Sequence, residues 1–182
     1  MKRKSKSVVL LSGLLLICIA QQTFSQSPLL RETRNLFFQA AVDKSQVAAL
    51  ITILNEQQQP LSARLQGYKG AATAMDAENY VMPYRKYKQF TKGRKMLEAA
   101  IIKNPDNAEL RFLRLQIQVH SPAFLGYQDQ TEQDKKVVME YLNLQHNNMT
   151  DDPDFLRKIV DAMRKSGKLT DEERKLLMTL YN

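Results

Sequence analysis

The chain has 182 residues, two His, one Cys and no Trp, with 27 Lys and Arg against 19 Asp and Glu. A single cysteine excludes an internal disulfide and a thiolate metal cluster, and two isolated histidines give no zinc-site spacing. The formal charge of +8 overstates the basic character, because four of the 27 cations lie within the first six residues. The remaining 23 against 19 is mildly basic and by itself no argument for nucleic acid.

The chain opens on Lys2, Arg3, Lys4 and Lys6, followed by an apolar run from Val8 to Ala20. A basic end before a short apolar segment is the layout of a secretory signal peptide. The run falls short of the roughly 20 residues that span a bilayer, so cleavage is expected rather than anchoring. Small-x-small rules allow a cut after Ala20 or after Ser25. The second is preferred because it leaves a polar stretch after the apolar run, giving a signal over 1–25 and a mature domain over 26–182. Cys18 would suit a lipoprotein only if a small residue preceded it, and Ile17 stands there. The mature chain is then free of cysteine, and a domain of roughly 150 residues buries about 70 % of its unfolded surface, enough for one core.

Beyond the leader, apolar residues recur at helical spacing. Leu30, Leu36, Phe37, Ala40 and Ala41 predict a helix over 28–42. Val47, Leu50, Ile51 and Leu54 predict a second, with Ser45 as its cap. Pro60 is placed at the start of a third, over 61–79, where its missing N–H costs nothing. That helix carries an apolar stripe (Leu61, Leu65, Tyr68, Ala72, Met75) and a second face of small residues (Ala63, Gly67, Gly70, Ala74). Glycine costs a helix about 1 kcal/mol relative to Ala, so the pair Gly67 and Gly70 predicts the close approach of another backbone. A ligand at the bare backbone is the alternative.

Pro83 separates this helix from a fourth over 84–103, which buries Tyr87, Phe90, Leu97, Ala100 and Ile101. A fifth runs over 107–120. Leu113, Leu115, Ile117 and Val119 alternate with polar residues as a strand would, yet nothing else alternates to pair with them. The segment is read as the central buried helix. Thr131 with Asp134 predicts a capping-box-like start to a sixth helix, and Asp152-Pro153 starts a seventh that Ser166-Gly167 stops. Thr170 with Glu173 is a cleaner capping box for the last. The fold class is all-α, with about seven to eight amphipathic helices in a single helical-repeat-like or irregular bundle domain.

Gly93, Leu97, Ala100 and Pro105 keep the small–large–small–Pro spacing of the second helix of a tetratricopeptide repeat, and residues 93–105 resemble that element. The preceding helix lacks the repeat's Leu-Gly-x-x-Tyr pattern, Pro83 interrupts where it belongs, and Arg114-Leu115 replace Leu-Gly in the next unit. The longer stretch from Leu97 to Tyr127, with Asn104-Pro105-Asp106-Asn107, Leu110-Arg111-Phe112-Leu113-Arg114 and Phe124-Leu125-Gly126-Tyr127, is similar to a group of small exported bacterial proteins. That resemblance implies export and a helical fold, and supplies no catalytic residues.

Motifs for chemistry are absent: no nucleophile elbow, phosphate loop or dinucleotide fingerprint occurs. His120 and His146 lie at separate helix ends. Asp151-Asp152-Pro153-Asp154 lacks the length and glycine of a calcium loop and reads as helix capping. No cofactor, metal or catalytic residue is expected. Two polar surfaces remain. Arg85, Lys86, Lys88, Lys92, Arg94 and Lys95 occur with no acid from Tyr80 to Leu97 and with Tyr80, Tyr84, Tyr87 and Phe90 interleaved. Such a segment suits an acidic partner, an anionic envelope surface or, against the export signal, a nucleic acid. Its plain structural alternative is a solvated face with Tyr87 and Phe90 turned inward.

On the fifth helix, at 100° per residue, Asn107, Arg111, Arg114, Gln118 and Ser121 share one narrow face. Arg111 and Arg114 there would grip a carboxylate or phosphate, or else pair with an acid on a neighbouring helix. These observations together lead to a periplasmic or secreted, non-enzymatic domain that binds a protein or peptide partner bearing acidic groups, without nucleic acid. Peripheral envelope contact is a further expectation, with no transmembrane helix after signal cleavage. The candidate contacts are Arg111, Arg114, Gln118, Arg85, Lys86, Lys88 and Lys92. A module for anionic lipid, lipopolysaccharide or glycan is the alternative. An enzyme using scattered carboxylates is a third, less supported reading.

Overall fold

The computed structural model describes residues 27–148 and 150–181. The leader, Cys18 and both cleavage positions lie outside the described residues. The chain divides into two compact units, Met1–Arg31 and Glu32–Asn182. Of the first, the described part is the opening turn of helix α1 (Pro28–Val42), where Ser27 Oγ accepts from the Leu30 amide at 3.3 Å.

Eight α-helices and no strand occur among the described residues, so the fold is all-α. After α1 come α2 (Gln46–Asn55), α3 (Ala63–Met75), a 3-10 turn (Asp76–Asn79) and α4 (Pro83–Lys103). Then follow α5 (Ala108–His120), a 3-10 turn (Ala123–Leu125), α6 (Thr131–Asn148), α7 (Pro153–Lys165) and α8 (Asp171–Leu180). The alternating segment 113–119 is helical. Residues 112–118 are buried on every side of α5, so no face is left to show a clean helical period.

Several boundaries differ from the sequence-based expectation for local reasons. Pro60 does not open α3. Ser62 is its cap, with Oγ accepting from the Leu65 amide, and the last residues of the expected 61–79 helix tighten into a 3-10 turn. Ser45 does not cap α2; its hydroxyl donates to Asp43 Oδ2 at 2.8 Å instead. Thr131 is the first residue of α6 rather than its cap, and its hydroxyl donates to the Gln128 carbonyl. Asp134 is drawn away to a buried arginine. The Thr170–Glu173 capping box is complete in both directions, and Asp152 caps α7 by accepting from the Asp154 amide. Gly167 takes the left-handed conformation that ends α7, at φ +67°.

The tightest helix pair in the second unit is α3 against α4. A Cβ on Gly70 would stand 2.5 Å from the Leu97 amide nitrogen and 3.0 Å from the Gly93 carbonyl oxygen. The two backbones touch through the pair Gly70 and Gly93, and the small face of α3 serves helix packing. Further in, Phe37, Tyr68 and Phe112 meet edge-to-face, with Phe37–Tyr68 centroids 5.4 Å apart. Such contacts add about 0.5–1.5 kcal/mol each to the area they bury.

Candidate functional site

The polar stripe of α5 turns inward. Arg114 is 3 % exposed and grips Asp134 of α6 by both arms of its fork, Nε to Oδ2 at 2.6 Å and Nη2 to Oδ1 at 2.7 Å. Its third nitrogen, Nη1, donates to Glu98 of α4 at 2.8 Å. Glu98 in turn accepts from the Tyr127 hydroxyl at 2.6 Å. Arg111 donates to Asp134 at 3.3 Å and to the Pro105 carbonyl at 3.0 Å. Burial opposes the charge on Arg114, yet the hydrogen bonds and charges of Asp134 and Glu98 outweigh it and raise its pKa. Gln118 is buried and accepts from Thr131 at 3.5 Å, and Asn107 caps α5 through the Leu110 amide. This stripe bolts α4, α5 and α6 together.

A second arginine centre, which the sequence reading missed, lies in α1. Arg34 donates from Nε and Nη2 to the two oxygens of Glu109, each at 2.7 Å, and from Nη1 and Nη2 to Asp151 at 3.0 and 3.3 Å. Tyr68 donates to Glu109 and Tyr141 to Asp151, at 2.7 and 2.6 Å. The guanidinium also stacks on Phe155, 3.5 Å from its centroid. The available signal was positional: Arg34 sits three and four residues before Phe37 and Phe38, inside the apolar stripe, where a cation needs a buried partner.

Burial pushes the phenols of Tyr68, Tyr127 and Tyr141 up, and the carboxylates that accept from them push the same way. Burial would also raise Asp151, but hydrogen bonds from Arg34, Tyr141 and the Asp152 amide outweigh it and hold this carboxyl below its usual value. A carboxylate depressed in the folded state stabilises above its unfolded pKa of about 3.9 and loses that contribution as pH falls through the folded value. Asp151→Asn is therefore expected to lower stability at neutral pH and to matter progressively less as pH falls through the folded value. Acid-unfolding curves of variant and parent that run parallel would show that Asp151 does not carry the acid limb.

The surface left open is elsewhere. A groove of about 500 Å³ runs between the end of α3, the start of α4 and the 120–125 segment. Ala74, Met75, Phe90 and Ile117 are among its lining, with Tyr87 and Phe124 projecting beside them. Phe90 is buried, as expected, but Tyr87 is 58 % exposed rather than turned to the core. Phe124 is 85 % exposed, and Val81, two residues before the groove-lining Pro83, is 91 % exposed with Met82 and Tyr84 also largely open. Half of the large exposed apolar side chains among the described residues thus fall in 81–87 and at 124. Scattered exposed apolar residues need no explanation, but a cluster beside a concavity sets this surface apart from the rest.

Charge distinguishes this groove from the buried centres. Arg85, Lys86, Lys88, Lys92 and Lys95 are exposed on α4 and make no ion pair among the described residues. Arg94 leans on the Tyr127 ring at 4.5 Å instead. Glu78, an acid in the groove lining, is paired with Lys44. Among the described residues no group of three or more His, Cys, Asp or Glu converges to hold a metal, and no helix is long and apolar enough to cross a membrane. Of the sequence-based candidates, Arg111, Arg114 and Gln118 are engaged inside the helix packing, whereas Lys86 lines the groove and Arg85, Lys88 and Lys92 are exposed on the outer side of α4. No protein-family model, curated protein or solved structure matches this chain.

Proposed function

We propose that this chain is an exported, non-enzymatic helical domain that docks a protein or peptide segment, with the groove at the start of α4 as its docking surface. The carrying observation is the groove itself: about 500 Å³ of mostly apolar concavity with exposed Tyr87 and Phe124 on its walls. That volume falls in the range of roughly 300–1,000 Å³ typical of ligand sites. Large aromatic side chains at such an edge are the usual anchors of protein interfaces. The basic leader with its apolar run supports export, to the periplasm or beyond. The stacked helices suit a role that presents surface rather than performs a reaction.

A photo-crosslinking side chain placed at position 124 is expected to join the exported protein to one defined envelope polypeptide. The same group at Lys165, on α7, should not. Tyr87→Ser should abolish the crosslink while leaving stability within about 0.5 kcal/mol, since the side chain is exposed. Crosslinks from position 124 to lipid or glycan alone would replace this reading with an envelope-surface binder.

A further inference from the structure

Helix α4, unlike α5 to α8 but like α1 to α3, has no acid in its first turn, and it sets two cations there. A helix N-terminus carries partial positive charge, so acids are favoured in the first turn and cations are disfavoured. α8 opens with Asp171, Glu172 and Glu173, and α6 has Glu132 and Asp134 in its first turn. α4 opens Pro83-Tyr84-Arg85-Lys86 with no acid in its first turn. Lys88, Lys92 and Lys95 continue the series, and no acid occurs from Tyr80 to Leu97. The i,i+3 and i,i+4 spacings of Arg85–Lys88, Lys88–Lys92 and Lys92–Lys95 set like charges beside one another, which destabilises a helix by a few tenths of a kcal/mol per pair.

Several cations elsewhere are held by carboxylates. Arg34 and Arg114 each hold two carboxylates, and Lys135 holds Glu132 and Glu173. A local rule broken without compensation in the fold is expected where function requires it.

Resting on the docking surface proposed above, we infer that its partner is an acidic protein segment. The segment places bulky apolar side chains in the groove and carboxylates against the N-terminal half of α4, with Arg85 and Lys86 as the first contacts. Lys86 itself lines the groove, so a chain anchored there passes directly beneath the cationic turn. A concave apolar floor is filled by the side chains of a polypeptide, and Tyr87 and Phe124 beside it supply aromatic walls to grip them. Carboxylates arriving at this turn also meet the helix dipole favourably, so one contact relieves both the mutual repulsion and the misplaced charge.

The test is selection of random peptides on the exported protein, repeated on an Arg85→Glu/Lys86→Glu variant. The expected consensus holds large apolar residues together with Asp or Glu. Affinity for a selected peptide should fall about tenfold or more in the variant and weaken with added salt. These substitutions put acids in the first turn, which favours the helix, so an unchanged helical signal with lost binding isolates the contact.

A purely apolar consensus, indifferent to the charge reversal, would overturn the acidic partner and leave the docking groove standing. Failure to enrich any peptide would overturn both. If phosphatidylglycerol vesicles alone bound, through Arg85 and Lys86, an anionic membrane would take the place of the peptide.

Discussion

Arg34→Met is expected to destabilise this protein by about 3–5 kcal/mol, the cost of leaving a buried charge without its partner. In a chain of this size that corresponds to a fall of roughly 6–20 °C in thermal midpoint. Native stabilities lie between about 5 and 15 kcal/mol, so the loss is a large share of the total. The reason is the state of Glu109 after the change. It is 5 % exposed and would keep only the Tyr68 hydroxyl and the more distant Arg64, 3.4 Å away and partly solvated.

Glu109→Gln added to Arg34→Met removes the orphan charge and keeps an oxygen for Tyr68. The double variant is therefore expected to recover stability relative to Arg34→Met, with a coupling of about 1–3 kcal/mol in a double-mutant cycle. Urea midpoints at constant slope would measure it. Strict additivity would mean that Arg34 contributes by packing on Phe155 and not by holding Glu109.

The second large effect is expected at Gly93. In an isolated helix, Gly93→Ala would be worth about 1 kcal/mol of added stability. Here the sign should reverse, with a net loss of about 1–3 kcal/mol from overpacking. A Cβ at Gly93 would stand 2.6 Å from the Gly70 carbonyl oxygen and 2.7 Å from the Ala74 Cα, and it meets the Ala74 amide nitrogen more closely still. All three are backbone atoms of α3 and have no rotamer to escape into, so the helices must separate.

Gly67→Ala provides the contrast. Its nearest obstacle is the end of the Leu110 side chain, which is able to turn, so a smaller loss is expected. Thermal melts of the two variants compare them directly. A Gly93→Ala protein as stable as the parent would show that α3 and α4 do not touch through their glycines.

These two centres differ in how far the sequence revealed them. The glycines of α3 stood out because two of them within one helical stripe are costly without a reason, and close packing is the commonest reason. What they packed against was half visible: Gly93 was singled out for its spacing to Leu97 and Ala100, but nothing linked it to Gly70 twenty-three positions earlier. Arg34 escaped notice because a charged residue in a helix is by default solvated, and its partner Glu109 is seventy-five positions away. Arg114 was noticed, but its acid could not be chosen. Asp134 looked like a helix cap to Thr131, and only the approach of α6 to α5 gives it to the arginine.

The sequence by itself determined the helical class, most helix spans, the working caps at Asp152 and Thr170, and the stop at Gly167. Each of these depends on interactions within a few residues, where spacing along the chain is spacing in space. Tertiary structure alone decided which cations are consumed internally and which remain open, and that Tyr87 stands at a groove instead of in the core. Those outcomes depend on which distant helix lies opposite, and charge pairing reaches only a few ångströms. The same basic sequence therefore yields two buried fastenings, around Arg34 and Arg114, and unpaired surface cations on α4.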